Sequence, residues 1–228
     1  KAAKAGADYS KALSGLKAVA GATSKELGVL SAQAKELGST TAFTASQVVS
    51  LQTELAKLGF SILEIGDATP SILDLAASLD VDLADAASFA GGTINAFGLE
   101  TSETQRVVDV MAKTAVSSAQ DFTTLRESFS KAAPAANALG LTIERTGALL
   151  GVLSDSSIKG SEAGTALKNS FIELKKKGLS LDDGLDKIAG SSDKLLTAIE
   201  LAGKRGGPAL LALVNKRGKI GELQEKLE

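Results

Sequence analysis

The sequence predicts an all-α fold: an irregular array of helical hairpins, each unit about 40 residues, with a long amphipathic N-terminal helix ahead of them. Three observations predict it. Apolar residues recur at helical spacing along most of the 228-residue chain. Runs of alternating β-branched residues are missing, so nothing reads as a strand. One glycine-centred helix stop returns at nearly constant intervals.

Composition bounds the core. Hydrophobic residues make up 44% of the chain but aromatic residues only 4%. The interior must therefore be built from Ala, Leu, Val and Ile, side chains that suit helices packed close together. Only three prolines occur, Pro70, Pro134 and Pro208, which leaves long helices uninterrupted. The formal net charge is −2 and the pI about 5.4, which gives no electrostatic footprint for nucleic acid. The chain has no Cys and no His. That excludes disulfides, zinc sites of the usual kind and His-based acid–base chemistry from this segment. No run of 18 apolar residues is present, so no single helix here spans a membrane. The chain opens with KAAKAG, without Met or a signal-peptide layout. It reads as a segment of a longer protein that begins inside a helix.

Residues 1–38 form the first expected section. Tyr9, Leu13, Leu16, Ala20, Thr23, Leu27, Leu30, Ala34 and Leu37 alternate steps of four and three, a heptad stripe whose weak position is Thr23. Such a stripe suits an amphipathic helix lying on the following domain, or a coiled-coil stalk. Leu37-Gly38 is its expected end. Thr44 then caps a helix starting at Ala45. Gln47 completes a capping box, and Phe43 and Val48 are placed for a hydrophobic staple.

Residues 39–203 are the expected hairpin core. LGFS, FGLETS, LGLT and KGLS set Gly59, Gly98, Gly140 and Gly178 at intervals of 39, 42 and 38 residues. In each, glycine suits the left-handed position that ends a helix, and the next apolar residue packs back on it. A Ser or Thr then caps the following helix. Further breaks fall at 78–83, 117–121 and 154–161, so each unit holds two helices. Ser102 with Gln105 is expected to cap the helix that buries Val107, Val108, Met111 and Ala115. Phe122, Leu125, Phe129, Ala132, Ala136 and Leu139 form the next stripe, with a kink expected at Pro134.

The segment KGSEAGTALKNSF, residues 159–171, places two glycines four apart in a helical pattern. Ala163, Leu167, Phe171 and Leu174 make its core stripe. Ser161 is the expected N-cap, which puts Gly160 before the helix and Gly164 in its first turn. Gly160, Ala163, Gly164, Leu167 and Phe171 are the candidate helix-packing or partner-contact residues. Residues 204–228 form a final section, a C-terminal helix or the start of a rod, with GKRGGP at 203–208 as a loop or hinge.

Catalytic and cofactor motifs are lacking. Asp80, Asp82 and Asp85, and Asp182, Asp183 and Asp186, read as acidic first turns favoured by the helix dipole. SLDDGLDKIAGS lacks the glycine position and final Glu of a calcium loop. Ser157 and Lys159 have no supporting turn for a nucleophile. Lys175, Lys176 and Lys177 read as a solvated helix C-terminus. No P-loop or dinucleotide fingerprint appears.

Two stretches carry a family resemblance. AKELGSTTAFTASQVVSLQTELAKLGFS, residues 34–61, resembles the core of phage tail tape measure proteins of the TP901 type. It does so at Leu37-Gly38, Thr40-Thr41, Phe43-Thr44-Ala45 and Leu55 to Phe60. Residues 159–176 resemble a second landmark of that family, a glycine-rich turn followed by AGTAL, at Ala163 to Leu167. The two stand in the family's order. The resemblance implies a structural, non-enzymatic protein in the lumen of the tail tube, first assembled in the host cytoplasm. It sets tube length and is released with the DNA. The implied partners are tail tube and tail-tip proteins, assembly chaperones and other copies of the ruler chain. No cofactor or specific nucleic acid is implied, and membrane contact would come only from other parts of the protein. Two rival readings fit the composition: a membrane-inserting helical effector or pore-former, and a helical-repeat scaffold that binds another protein.

Overall fold

The computed structural model describes residues 2–228. Lys1, the first residue of the expected N-terminal helix, lies outside them. The described residues form twelve α-helices, one 3-10 turn and no strand. The chain divides into two compact units, Lys1–Asn95 with Leu99–Val108, and Ala96–Gly98 with Asp109–Glu228.

The first unit begins with α1 (Ala2–Ala20), α2 (Ser24–Thr40) and α3 (Ala45–Lys57). The heptad stripe is therefore divided between two helices, not carried by one long helix. Gly21 turns the chain with φ +62°, and Thr23 is the N-cap of α2, in a reciprocal capping box with Glu26. Its hydroxyl ends one helix and starts another, which is why it interrupts the apolar stripe. The pair folds back on itself, with the Tyr9 hydroxyl 2.7 Å from Ser31 Oγ. Leu16, Leu30 and Ala34 are buried as the stripe requires.

Helix α2 does not stop at Leu37-Gly38 but runs on to Thr40. Gly38 stays helical for a different reason. A Cβ there would lie 2.4 Å from the Ala45 backbone nitrogen, so its missing side chain lets α3 start against α2. The start of α3 is as expected. Thr44 Oγ1 accepts the Gln47 N–H (3.3 Å), and Gln47 Oε1 accepts the Thr44 N–H (2.8 Å).

α4 (Ile62–Leu79) carries Pro70 on its exposed face. Pro70 has no N–H for the carbonyl of Gly66, four residues earlier. Gln33 of α2 supplies the missing donor, with its Nε2 2.8 Å from Gly66 O. Gln33 Oε1 accepts in turn from Nε2 of the fully buried Gln52, which also donates to Leu30 O at 3.3 Å. α5 (Leu83–Phe97) completes this run, and Asn95 Nδ2 donates to Leu58 O at 3.0 Å.

The repeating helix stop is a backbone device. Gly59, Gly98, Gly140 and Gly178 have φ +91°, +63°, +80° and +66°. Each is followed by a residue whose N–H reaches back five residues: Phe60 to Leu55, Leu99 to Ile94, Leu141 to Ala136, Leu179 to Leu174. This bond satisfies a carbonyl that the helix end would otherwise orphan. Gly21 extends the series by one more period. The intervening breaks use the same closure without glycine. Asp80 and Ser157 take φ +53° and +65°, and Val81 and Ile158 donate to Ala76 and Leu153.

The chain leaves Glu100 through a 3-10 turn, Thr101–Glu103, into α6 (Thr104–Val116). The expected cap at Ser102 is replaced by Glu100, whose N–H donates to Glu103 Oε2 at 3.3 Å. Val107, Val108, Met111 and Ala115 are buried as expected.

In the second unit, α7 (Phe122–Ala138) runs through Pro134, which faces solvent and does not end the helix. α8 (Ile143–Ser154) is buried along its whole length. α9 (Gly160–Lys176) packs on α7. α10 (Leu181–Ala189) is capped by Ser180 in a box with Asp183. α11 (Lys194–Asn215) is broken at one residue, Gly203 (φ +71°, ψ 173°). The expected 203–208 loop is therefore a single-residue kink, and Pro208 lies within a helix. α12 (Arg217–Leu227) returns to lie on α8.

Candidate functional site: the small-residue seam of α7, α9 and α11

The five candidate residues stand on one buried stripe of α9. Ala163 and Phe171 are 1% exposed, Leu167 is fully buried, and Gly160 and Gly164 are buried as well. Their neighbours are α7 on one side and α11 on the other.

Gly164 marks the closest approach. A Cβ there would lie 2.4 Å from the Ser128 carbonyl oxygen, 2.8 Å from Lys131 Cβ and 2.9 Å from Ser128 Cα. No L side chain fits while α7 keeps its backbone in place. The next interface repeats the arrangement 42 residues on. Gly206 of α11 faces Ser170 of α9, with a Cβ position 2.5 Å from Ser170 Oγ. Ser128 and Ser170 are both fully buried, and each turns its hydroxyl onto its own helix, to Leu125 O and Ala166 O at 2.8 Å. Ser170 Oγ also lies 3.3 Å from Gly206 O. Serine here is a small residue that satisfies its own polar atom, which leaves the neighbouring backbone free to come close.

The start of α9 differs from expectation. Gly160 is its first residue, with φ +60°, and Lys159 occupies the cap position without a side-chain bond. Ser161 does not cap the helix. Its own N–H donates across the interface to Glu127 Oε2 of α7 at 3.2 Å. A Cβ on Gly160 would meet that same carboxylate at 3.1 Å. The helix end is thus satisfied by a neighbouring helix, with negative charge where the dipole favours it.

The acidic clusters are occupied by structural bonds. Asp82 Oδ1 accepts the Ala84 N–H at 2.8 Å. Asp182 pairs with Arg145 at 2.8 Å, and Asp186 with Arg217. The Ser180 hydroxyl and N–H hold the Asp183 carboxyl below its ordinary value. Ser61 does the same for Glu64, and the Thr23 hydroxyl for Glu26. For Asp121 the first cause is the backbone N–H of Thr124. Among the described residues no group of three His, Cys, Asp or Glu stands where it could hold a metal ion. No described helix is long and apolar enough to cross a membrane. What this arrangement does is fix helices against one another at short distance.

Comparison with known proteins gives three findings. The chain is 38% identical to the tape measure protein of Pneumococcus phage Dp-1 over 131 residues, 58% of this chain and 11% of that protein. It is 34% identical to the probable tape measure protein of Escherichia phage P2 over 131 residues, 57% of this chain and 16% of that protein. No solved structure matches it. The profile of one protein family matches residues 31–226, nearly the whole described fold. The chain belongs to the phage-related minor tail protein family.

Proposed function

We propose that this chain is a folded section of a phage or prophage tail tape measure protein, a virion structural component that sets tail-tube length during assembly and is released with the DNA. The observation that carries the reading is the 38% identity to a tape measure protein, over a stretch that includes the hairpin repeats. The chain spans less than a fifth of either relative's length, so the ruler role is a property of the longer protein to which it would belong.

In this reading residues 39–203 are a folded station and 204–228 lead toward the next section. The protein acts structurally and without a cofactor. It lies in the lumen of the tail tube and is held in the host cytoplasm before assembly. Its partners are tail tube and tail-tip proteins, assembly chaperones and other copies of the ruler. The buried stripe of Gly160, Ala163, Gly164, Leu167 and Phe171 serves helix packing within the station. A seam built of Gly and Ser suits a slender protein, because helices that meet at the backbone occupy less cross-section than helices held apart by large side chains.

Tail length tests the proposal. In-frame deletions in helical regions of the parent gene outside this segment should shorten the tail by about 1.5 Å per deleted residue, as seen by electron microscopy. Tails of unchanged length would refute it.

A further inference from the structure

The internal repeat exposes one groove that its own counterpart in the chain keeps covered. On α8, the C-terminal helix α12 lies across Gly147 and Gly151. Positions for Cβ atoms there fall 3.1 Å from Leu227 Cδ1 and 2.6 Å from Leu223 Cδ2. α6 forms the other wall, through Val110 and Thr114 beside Gly147. At the far end Lys219 Nζ stands 3.8 Å from Asp155 Oδ2, and Lys216 Nζ donates to Asp155 O at 2.9 Å. Along α12, Lys219, Leu223 and Leu227 are four residues apart and meet Asp155, Gly151 and Gly147 in that order.

Two repeats earlier, α2 and α4 form the same walls. Adding 81 to the residue number takes Gln33 to Thr114, Val29 to Val110, Gly66 to Gly147 and Asp74 to Asp155. It also takes the cap Ser61 to the cap Thr142, so the register is that of the fold and not only of the numbering. Here nothing lies in the groove. It has a volume of about 430 Å³, floored by Leu30 and Gly66 and flanked by Val29 and Leu63. Val29 is 62% exposed while its counterpart Val110 is fully buried, and Leu63 is 75% exposed. Asp74 is exposed at the position where Asp155 receives Lys219.

We propose that the α2–α4 groove is a docking site for an amphipathic helix of another protein chain, bound antiparallel to α4. The helix carries Lys, Leu and Leu at successive intervals of four, the lysine over Asp74 and the leucines over Pro70 and Gly66. Charge complementarity argues for this occupant. The groove's ionisable side chains, Glu26 and Asp67 with Asp74 beyond them, are all acidic, as the carboxylates under the basic end of α12 are. The proposal stands on the groove and its counterpart, whatever the longer protein measures.

The test uses the full 228-residue chain and a fluorescent, stapled helical peptide of residues 216–228, which holds the required pattern. Fluorescence anisotropy should show saturable binding that Leu63→Glu or Val29→Glu weakens at least tenfold, with the thermal midpoint unchanged because both side chains are exposed. The chain has no cysteine. A Leu63→Cys variant should therefore form a disulfide with a peptide extended by a C-terminal cysteine. Self-association of the chain that Leu63→Glu abolishes and the peptide dissolves would support the proposal and name a second copy as the helix donor. No binding, or binding that both glutamate variants retain, would overturn it, since the peptide would then be displacing α12 from α8.

Discussion

Replacing Gly164 by alanine adds one methyl group where the structure has no room for it. Two opposing effects decide the outcome. Alanine is about 1 kcal/mol better than glycine inside a helix. Against that, the new Cβ would sit 2.4 Å from a carbonyl oxygen and 2.9 Å from a Cα, both on the backbone of α7. Backbone cannot rotate away as a side-chain tip can, so α9 must move off α7 by most of an ångström. The cost belongs at the upper end of the overpacking range, about 3 kcal/mol. The net loss is then about 2 kcal/mol. For a chain of this size the unfolding midpoint should fall by roughly 4–8 °C. Gly221→Ala is the control in the same unit. Gly221 lies inside α12 with nothing within 4 Å of its Cβ position, so only the propensity gain remains and the midpoint should rise by roughly 2–4 °C. Thermal and urea unfolding followed by circular dichroism at the helical band measures both. If Gly164→Ala stabilises the unit as Gly221→Ala does, the helices are not in backbone contact and the seam argument is wrong.

Other perturbations test other layers of the fold. Gln33→Leu should cost about 1–3 kcal/mol, because it strands both the Gly66 carbonyl and the buried Gln52 amide. Pro70→Ala restores an N–H to that carbonyl, so a double-mutant cycle in urea should show the Gln33→Leu penalty reduced in the alanine background. Phe171→Ala should cost about 3–5 kcal/mol, since the ring is 1% exposed between α7 and α11, and should lower the urea midpoint accordingly. The carboxyls of Glu26, Glu64, Asp121 and Asp183 titrate below their ordinary values of 4.5 and 3.8 when folded. In that window the unfolded chain binds more protons, so stability rises with pH. The contribution is fully present above about pH 4.5 and is lost as pH falls through the lowered folded values. With no His in the chain, stability should be flat from pH 6 to 8. A slope in that range in pH-dependent urea unfolding would contradict this account.

The helix boundaries that were legible in the sequence share one property: their signals are local. Thr44 and Gln47 sit one helical turn apart, and their capping box forms whatever lies beyond it. The glycine stops at 59, 98, 140 and 178 close on their own preceding helix, so their spacing reveals the repeat directly. The misses have the opposite property. Thr23 read as a flaw in a heptad stripe, because an N-cap and a weak core position look alike in periodicity. Gly38 read as a helix stop, although its missing side chain makes room for Ala45. Ser161 read as a cap, although the carboxylate that serves that helix end comes from Glu127, 34 residues away. Asp80 and Ser157 adopt the left-handed backbone that a search for glycine passes over. The stripe of Ala163, Leu167 and Phe171 was legible as a buried face.

The sequence by itself determined the all-α class, the two-helix unit of about 40 residues, the order of the helices and the face each one buries. It did so because helix periodicity and capping act over one or two turns. Only the tertiary structure decided which helices meet and how closely. Gly164 and Gly206 acquire their meaning from Ser128 and Ser170 on neighbouring helices. Gln33 acquires its meaning from a proline 37 residues on. The covered groove under α12 and the open one between α2 and α4 differ only in what lies across them. Contact between distant segments depends on the three-dimensional packing of backbones. No local pattern of residue types encodes that distance.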